Sequence, residues 1–111
     1  MKKAAHKYNA KPTRIGGVYF HSKGEAKRWS DLLWLEKAGA VKNLKRQVPI
    51  SLSINGVEIC RMIVDFGYTD PTTGDRILED FKGYVTPEWK LKFKIFKALF
   101  PNQRFIINYG K

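Results

Sequence analysis

The sequence predicts a small mixed α/β domain of the α+β kind, with elements in the order αβββαβ and a central mixed sheet flanked by helices. Three observations predict it. Two stretches, starting at Ser22 and Thr86, carry N-cap signals followed by apolar residues at helical spacing. Between them lie three apolar runs joined by turn signals at Asn55-Gly56 and at Pro71 to Gly74. A last short apolar run, Arg104 to Asn108, follows the second helix.

Residues 1–14 hold Lys2, Lys3, Lys7, Lys11 and Arg14 with no acid, and read as a basic flexible N-terminal arm. Residues 15–111 read as a single domain. Val18-Tyr19-Phe20 reads as an extra strand or a packed lead-in. Ser22-Lys23-Gly24-Glu25 fits a capping box, and the helix behind it runs to about Ala38, with Gly39 as its stop. Trp29, Leu32, Leu33 and Glu36 fall on one stripe of it, widened by Trp34 and Leu35. Glu25 lies one turn before Trp29, at the head of that stripe. It is either a cap alone or a carboxylate aimed at the sheet.

Residues 44–54 read as an edge strand, because Pro49 cannot donate to a ladder. Residues 57–68 form the next strand, with Cys60, Met62, Ile63, Val64 and Phe66 suggesting burial on both faces. Residues 76–83 form the third. Thr86-Pro87-Glu88 starts the second helix, whose apolar positions are Trp89, Phe93, Phe96 and Phe100. Lys90, Lys94 and Lys97 fall on another face, with Lys92 beside the apolar stripe.

The chain carries a formal net charge of +11. Such a field favours a polyanionic partner: DNA, RNA or an anionic membrane. No apolar run reaches the roughly 18 residues of a membrane span, and no secretory leader is visible. One cysteine, Cys60, makes an internal disulfide impossible, and with only two histidines a Cys/His zinc site is not expected. A reducing cytoplasm is the expected compartment. Lys90, Lys92, Lys94 and Lys97, with Arg14 and Lys23, are the candidate nucleic-acid contacts, and affinity that rests on phosphates falls with salt.

The acids run against this charge. Of the ten Asp and Glu residues, five (Asp65, Asp70, Asp75, Glu79, Asp80) fall between 65 and 80. Asp70 and Asp75 flank a turn. If Pro71 to Gly74 is a four-residue loop, Asp70 pairs with Asp75, Tyr68 with Ile77, and Asp65 with Asp80. Opposed residues share a face with Cβ atoms about 5 Å apart. Two carboxylates so placed repel, so one takes a proton or a cation sits between them. Lys82 reaches the same spot from two residues along. A β-bulge would break this register.

Paired carboxylates beside a lysine suit a hard divalent cation, Mg²⁺ or Mn²⁺, with the Phe81 backbone C=O as a further ligand. Basic surroundings hold a phosphodiester. These parts describe metal-dependent hydrolysis of nucleic acid.

Asp65, followed after a short turn by Asp80-Phe81-Lys82, resembles the PD-(D/E)XK motif of restriction-endonuclease-like nucleases, and the element order resembles their core from Ser22 onward. More narrowly, SKGEAKRW, VDFGYTD and LEDFKGYVTPEWKLK resemble a family of small phage-encoded nucleases, formerly a domain of unknown function, similar to Holliday-junction resolvases and phage endonuclease I. The resemblance implies Asp65 and Asp80 as metal ligands, Lys82 as the catalytic lysine and Glu25 as the helix-borne acid. It also implies Lys92 near the scissile phosphate. Two positions depart from the motif. Val64 stands where its name has proline, and Glu79 offers a second acid beside Asp80.

The expected function is a Mg²⁺-dependent, phage-encoded DNA endonuclease acting in recombination, selective for branched DNA and working as a homodimer. The rivals are a non-catalytic nucleic-acid-binding protein of the same fold and a packaging-associated protein.

Overall fold

The computed structural model describes residues 13–15 and 18–110. Strands β1 (Thr13–Ile15) and β2 (Val18–Phe20) form a small antiparallel pair, so the expected lead-in is a strand. The basic arm was expected to run through residue 14. Residues 1–12 lie outside the described residues, but Thr13 and Arg14 belong to β1, recruited by the open edge of β2.

Helix α1 (Lys23–Lys37) starts where predicted, with the Ser22 hydroxyl accepting from the Glu25 N–H at 3.1 Å. Strands β3 (Lys42–Ile54) and β4 (Val57–Thr69) form a long hairpin. Asn55 and Gly56 turn it, at φ of 51° and 80°, the left-handed pair that a two-residue turn requires. The 70–75 turn closes by Asp70 N–H to Asp75 C=O at 2.9 Å and Gly74 N–H to Asp70 C=O at 2.7 Å. Strand β5 (Arg76–Lys82) follows, then α2 (Pro87–Leu99) and β6 (Arg104–Tyr109).

The main sheet has the order β3-β4-β5-β6. Its first three strands are antiparallel and β6 runs parallel to β5, with α2 as the crossover. This is the predicted αβββαβ arrangement, a mixed sheet with a helix on each face. Leu32 of α1 packs with Phe66, Tyr68 and Ile77 on one face. Phe96 of α2 packs with Met62, Val64 and Leu78 on the other. No described helix is long and apolar enough to cross a membrane.

Two burial expectations need correction. Leu33, Trp34 and Leu35 were placed on the buried stripe of α1, yet all three are exposed, Trp34 at 71%. A sheet face contacts one side of a helix, and here that side is Ala26, Trp29 and Leu32. The early half of β4 is not buried on both faces either. Val57, Ile59 and Ile63 are exposed, because β5 pairs with β4 only from Phe66 to Thr69.

Candidate active site

The centre of interest lies where β4 and β5 part. Their ladder runs from Thr69–Arg76 through Tyr68–Ile77 to Phe66–Glu79 and stops there. By count Asp65 and Asp80 come next, as the turn chemistry predicts. Here carboxylates replace ladder bonds. The Asp65 N–H donates to Asp80 Oδ1 at 2.8 Å, and the Phe81 N–H donates to Asp65 Oδ2 at 2.8 Å.

Strand β4 changes the face it buries at this point. Met62 and Val64 pack beneath α2, whereas Phe66 and Tyr68 pack beneath α1. Residues two apart in a regular strand share a face, so β4 twists sharply at Asp65. On β3, Gln47 opposite takes a left-handed φ of 51°. Neither Gln47 nor Asp65 is paired, yet Arg46–Phe66 and Val48–Val64 keep one register, so no residue is inserted.

Asp80 is 1% exposed, on the α2 side of β5. Its Oδ2 meets Lys82 Nζ at 3.1 Å and accepts from the Trp89 indole N–H at 3.2 Å. Burial, with the nearby charges of Asp80 and Glu25, pushes the Asp65 carboxyl up to about 8, against the pull of the Phe81 N–H. Glu25 is 5% exposed and has no hydrogen-bond partner for its carboxyl among the described residues. Burial raises its pKa against the pull of His21, Arg46 and Lys82, and the charge of Asp80 raises it further. Of the capping box, the Ser22 half forms; the Glu25 carboxyl is left within electrostatic reach of Asp65, Asp80 and Lys82.

Glu79, left open as a rival to Asp80, lies on the opposite face and is fully committed. It is 0% exposed. It pairs with Arg28 of α1, accepts from the Tyr68 hydroxyl at 2.6 Å, and accepts from the Asn108 side chain of β6. Burial, and then the bond to Glu79, pushes Tyr68 up to about 12. This network was not expected from the sequence. One signal was present: Arg28 follows Glu25 by three residues and so shares its helix face.

A cleft of about 240 Å³ opens beside Lys82, between β4 and the start of α2, and Lys92 lines it with Tyr84 and Trp89. Lys92 donates to the Arg61 C=O at 2.9 Å and pairs with Glu88 at 3.3 Å. Lys90, Lys94 and Lys97 are exposed but project from the other flank of α2, roughly 140–200° around the helix from Lys92 at about 100° per residue. They do not converge with Lys92 on the cleft. Lys23 is exposed at the start of α1, and the side chain of Arg14 lies outside the described residues.

Among the described residues no group of three or more His, Cys, Asp or Glu side chains is close enough to hold a metal ion by itself. Asp65 and Asp80 form a pair, with Glu25 at longer range. Mg²⁺ keeps several of its waters and needs only one or two carboxylates, so the donor set fits it. The Phe81 C=O suits the same place. Within a strand, N–H and C=O of one residue point to the same neighbour, and the Phe81 N–H points at Asp65.

A family model described as "Protein of unknown function (DUF1064)" matches residues 5–109. No curated protein and no solved structure matches the chain.

Proposed function

We propose that this chain, which belongs to the DUF1064 family, is a divalent-metal-dependent DNA endonuclease of the PD-(D/E)XK kind. The observation that carries the reading is the fork between β4 and β5. There two carboxylates face each other, Asp80 buried and Asp65 half-buried with its pKa raised to about 8, and a lysine touches Asp80 at 3.1 Å. Like charges buried together are costly, and a cation relieves that cost.

Asp65 and Asp80, with the Phe81 C=O, would hold Mg²⁺ or Mn²⁺, and Glu25 would act through a bound water. When bound, such a cation polarises a phosphoryl oxygen and lowers the pKa of a coordinated water. The chain's own groups do the rest. Lys82 presents an ammonium beside the carboxylate pair, where it can donate to a phosphate oxygen and stabilise developing charge. Lys92, on the rim of the same cleft, supplies a second cation for the backbone of the bound strand. Phosphate contacts of the kind Lys82 and Lys92 would make carry no base information, so DNA geometry is taken as what is recognised, with branched DNA as the favoured substrate and a homodimer as the form that cuts a junction symmetrically.

One observation favours a second reading, a non-catalytic basic nucleic-acid binder. Each carboxylate already accepts a backbone N–H, and Asp80 is also paired with Lys82. Digestion of synthetic four-way junctions, flaps and linear duplexes, with Mg²⁺ or with EDTA, separates the two. The nuclease reading expects cleavage with Mg²⁺ alone, strongest on branched substrates. Binding without cleavage of any substrate supports the second reading.

A further inference from the structure

We infer that Trp89 is a positioning residue that holds both Asp80 and Lys82 in place for the proposed reaction, an inference that rests on the nuclease reading above. Its place in the chain is set by the start of α2. Thr86 caps the helix by accepting from the Trp89 N–H at 3.0 Å, and Pro87 occupies the first turn. The ring is stacked on Phe93 at 4.8 Å, and Phe93 is packed in turn against Phe105 at 4.9 Å. The indole is therefore anchored from behind by the apolar side of α2 and by β6.

From that anchor it touches both polar groups of the site. Its N–H donates to Asp80 Oδ2 at 3.2 Å, the oxygen that Lys82 meets at 3.1 Å. The Lys82 ammonium lies 4.8 Å from the centre of the Trp89 ring, in the range of a cation–π contact. Asp80 Oδ1 is held by the Asp65 N–H at 2.8 Å. Each carboxylate oxygen thus has one uncharged donor fixing its direction.

The choice of side chain matters chemically. An indole N–H donates but carries no charge and does not titrate. It orients the carboxylate without adding a second positive charge beside that of Lys82. A lysine or arginine in its place would compete with a metal cation. The ring face meanwhile keeps the Lys82 ammonium beside the carboxylate without a second acid to bind it. Supporting groups of this kind commonly change metal affinity by about 10- to 100-fold when removed.

Two variants separate the two contacts. Trp89→Phe keeps an aromatic face and loses the N–H; Trp89→Leu loses both. We expect Trp89→Phe to raise the Mg²⁺ concentration for half-maximal plasmid nicking by about tenfold, with a near-normal rate at saturating Mg²⁺. Trp89→Leu should lower the saturating rate as well. A purely structural tryptophan would lower thermal stability in both variants and leave the Mg²⁺ dependence alone. The indole ¹H–¹⁵N resonances give a readout without DNA. The chain has three tryptophans, and the resonance lost in Trp89→Phe should move most on adding Mg²⁺ and in Asp80→Asn. Should the Phe variant fail to fold, that resonance is assigned by elimination, from Trp29→Phe and Trp34→Phe. A wild type that nicks DNA, with unchanged Mg²⁺ dependence in Trp89→Phe or an indole resonance indifferent to both Mg²⁺ and Asp80→Asn, overturns the positioning role alone. A wild type that cuts no DNA with Mg²⁺, while its Trp89 resonance still responds to Asp80→Asn, overturns the nuclease reading and leaves the contact itself standing.

Discussion

Asp65 carries a cost that the fold accepts. Its carboxyl is pushed up to about 8 by burial and by the charges of Asp80 and Glu25. The sign of the consequence follows from linkage. A carboxyl whose folded-state pKa lies above its ordinary value binds its proton more tightly when folded. Its stabilising contribution is complete below about pH 4 and is lost as pH rises through about 8. Glu25, also raised, acts in the same direction. Without metal, wild type should therefore lose thermal stability relative to Asp65→Asn between these limits. Added Mg²⁺ should recover it at the alkaline end, because binding to the folded state alone stabilises that state. Melting curves by circular dichroism across this range check both statements. A difference in melting temperature between wild type and Asp65→Asn that stays constant from about pH 4 to about pH 8 would contradict the first.

At the scale of elements, β5 separates two jobs on its two faces. Glu79 points to α1 and ties it to β4 and β6 through Arg28, Tyr68 and Asn108. Asp80 points to the start of α2. Arg28→Ala should destabilise the protein by roughly 3 kcal/mol, since it strips the partner from a buried charge. Glu79→Gln should lower stability yet leave metal-dependent cleavage in the surviving folded protein, which a denaturation curve and a nicking assay together measure. A second constraint joins α1 to the same strand. A Cβ at Gly24 would fall 2.1 Å from the Phe81 ring, so the first turn of α1 can approach β5 only with glycine there. A Cβ at Gly110 would meet the Phe81 ring at the same distance, 2.1 Å. Gly24→Ala should cost about 1–3 kcal/mol as an overpacking change, and should also push the Glu25 turn away from the carboxylate pair.

At the scale of the whole molecule, the elements and their order were legible because their ends carry local chemistry. Ser22, Thr86 and Pro87 start the helices, and Asn55-Gly56 and Pro71 to Gly74 turn the strands. The second turn also set the register, Tyr68 against Ile77, and with it the approach of Asp65 to Asp80. What was not legible depends on tertiary placement. The change of face at Asp65 arises from the twist of a long hairpin that β5 supports only at one end. The commitment of Glu79 needs a residue from α1 and another from β6, and no local pattern announces that. Trp89 read as one more apolar helix position because its partner, Asp80, arrives from another element.

The acids at the β4–β5 fork and Lys82 are proposed to form one catalytic site. This is tested most directly by nicking of supercoiled plasmid by wild type, Asp80→Ala and Lys82→Ala, with DNA binding measured on the same preparations. Wild type should nick with Mg²⁺ and not with EDTA. Both variants should lose at least about 100-fold, with DNA affinity kept within a few-fold. Variants that nick at the wild-type rate would overturn this assignment of the site.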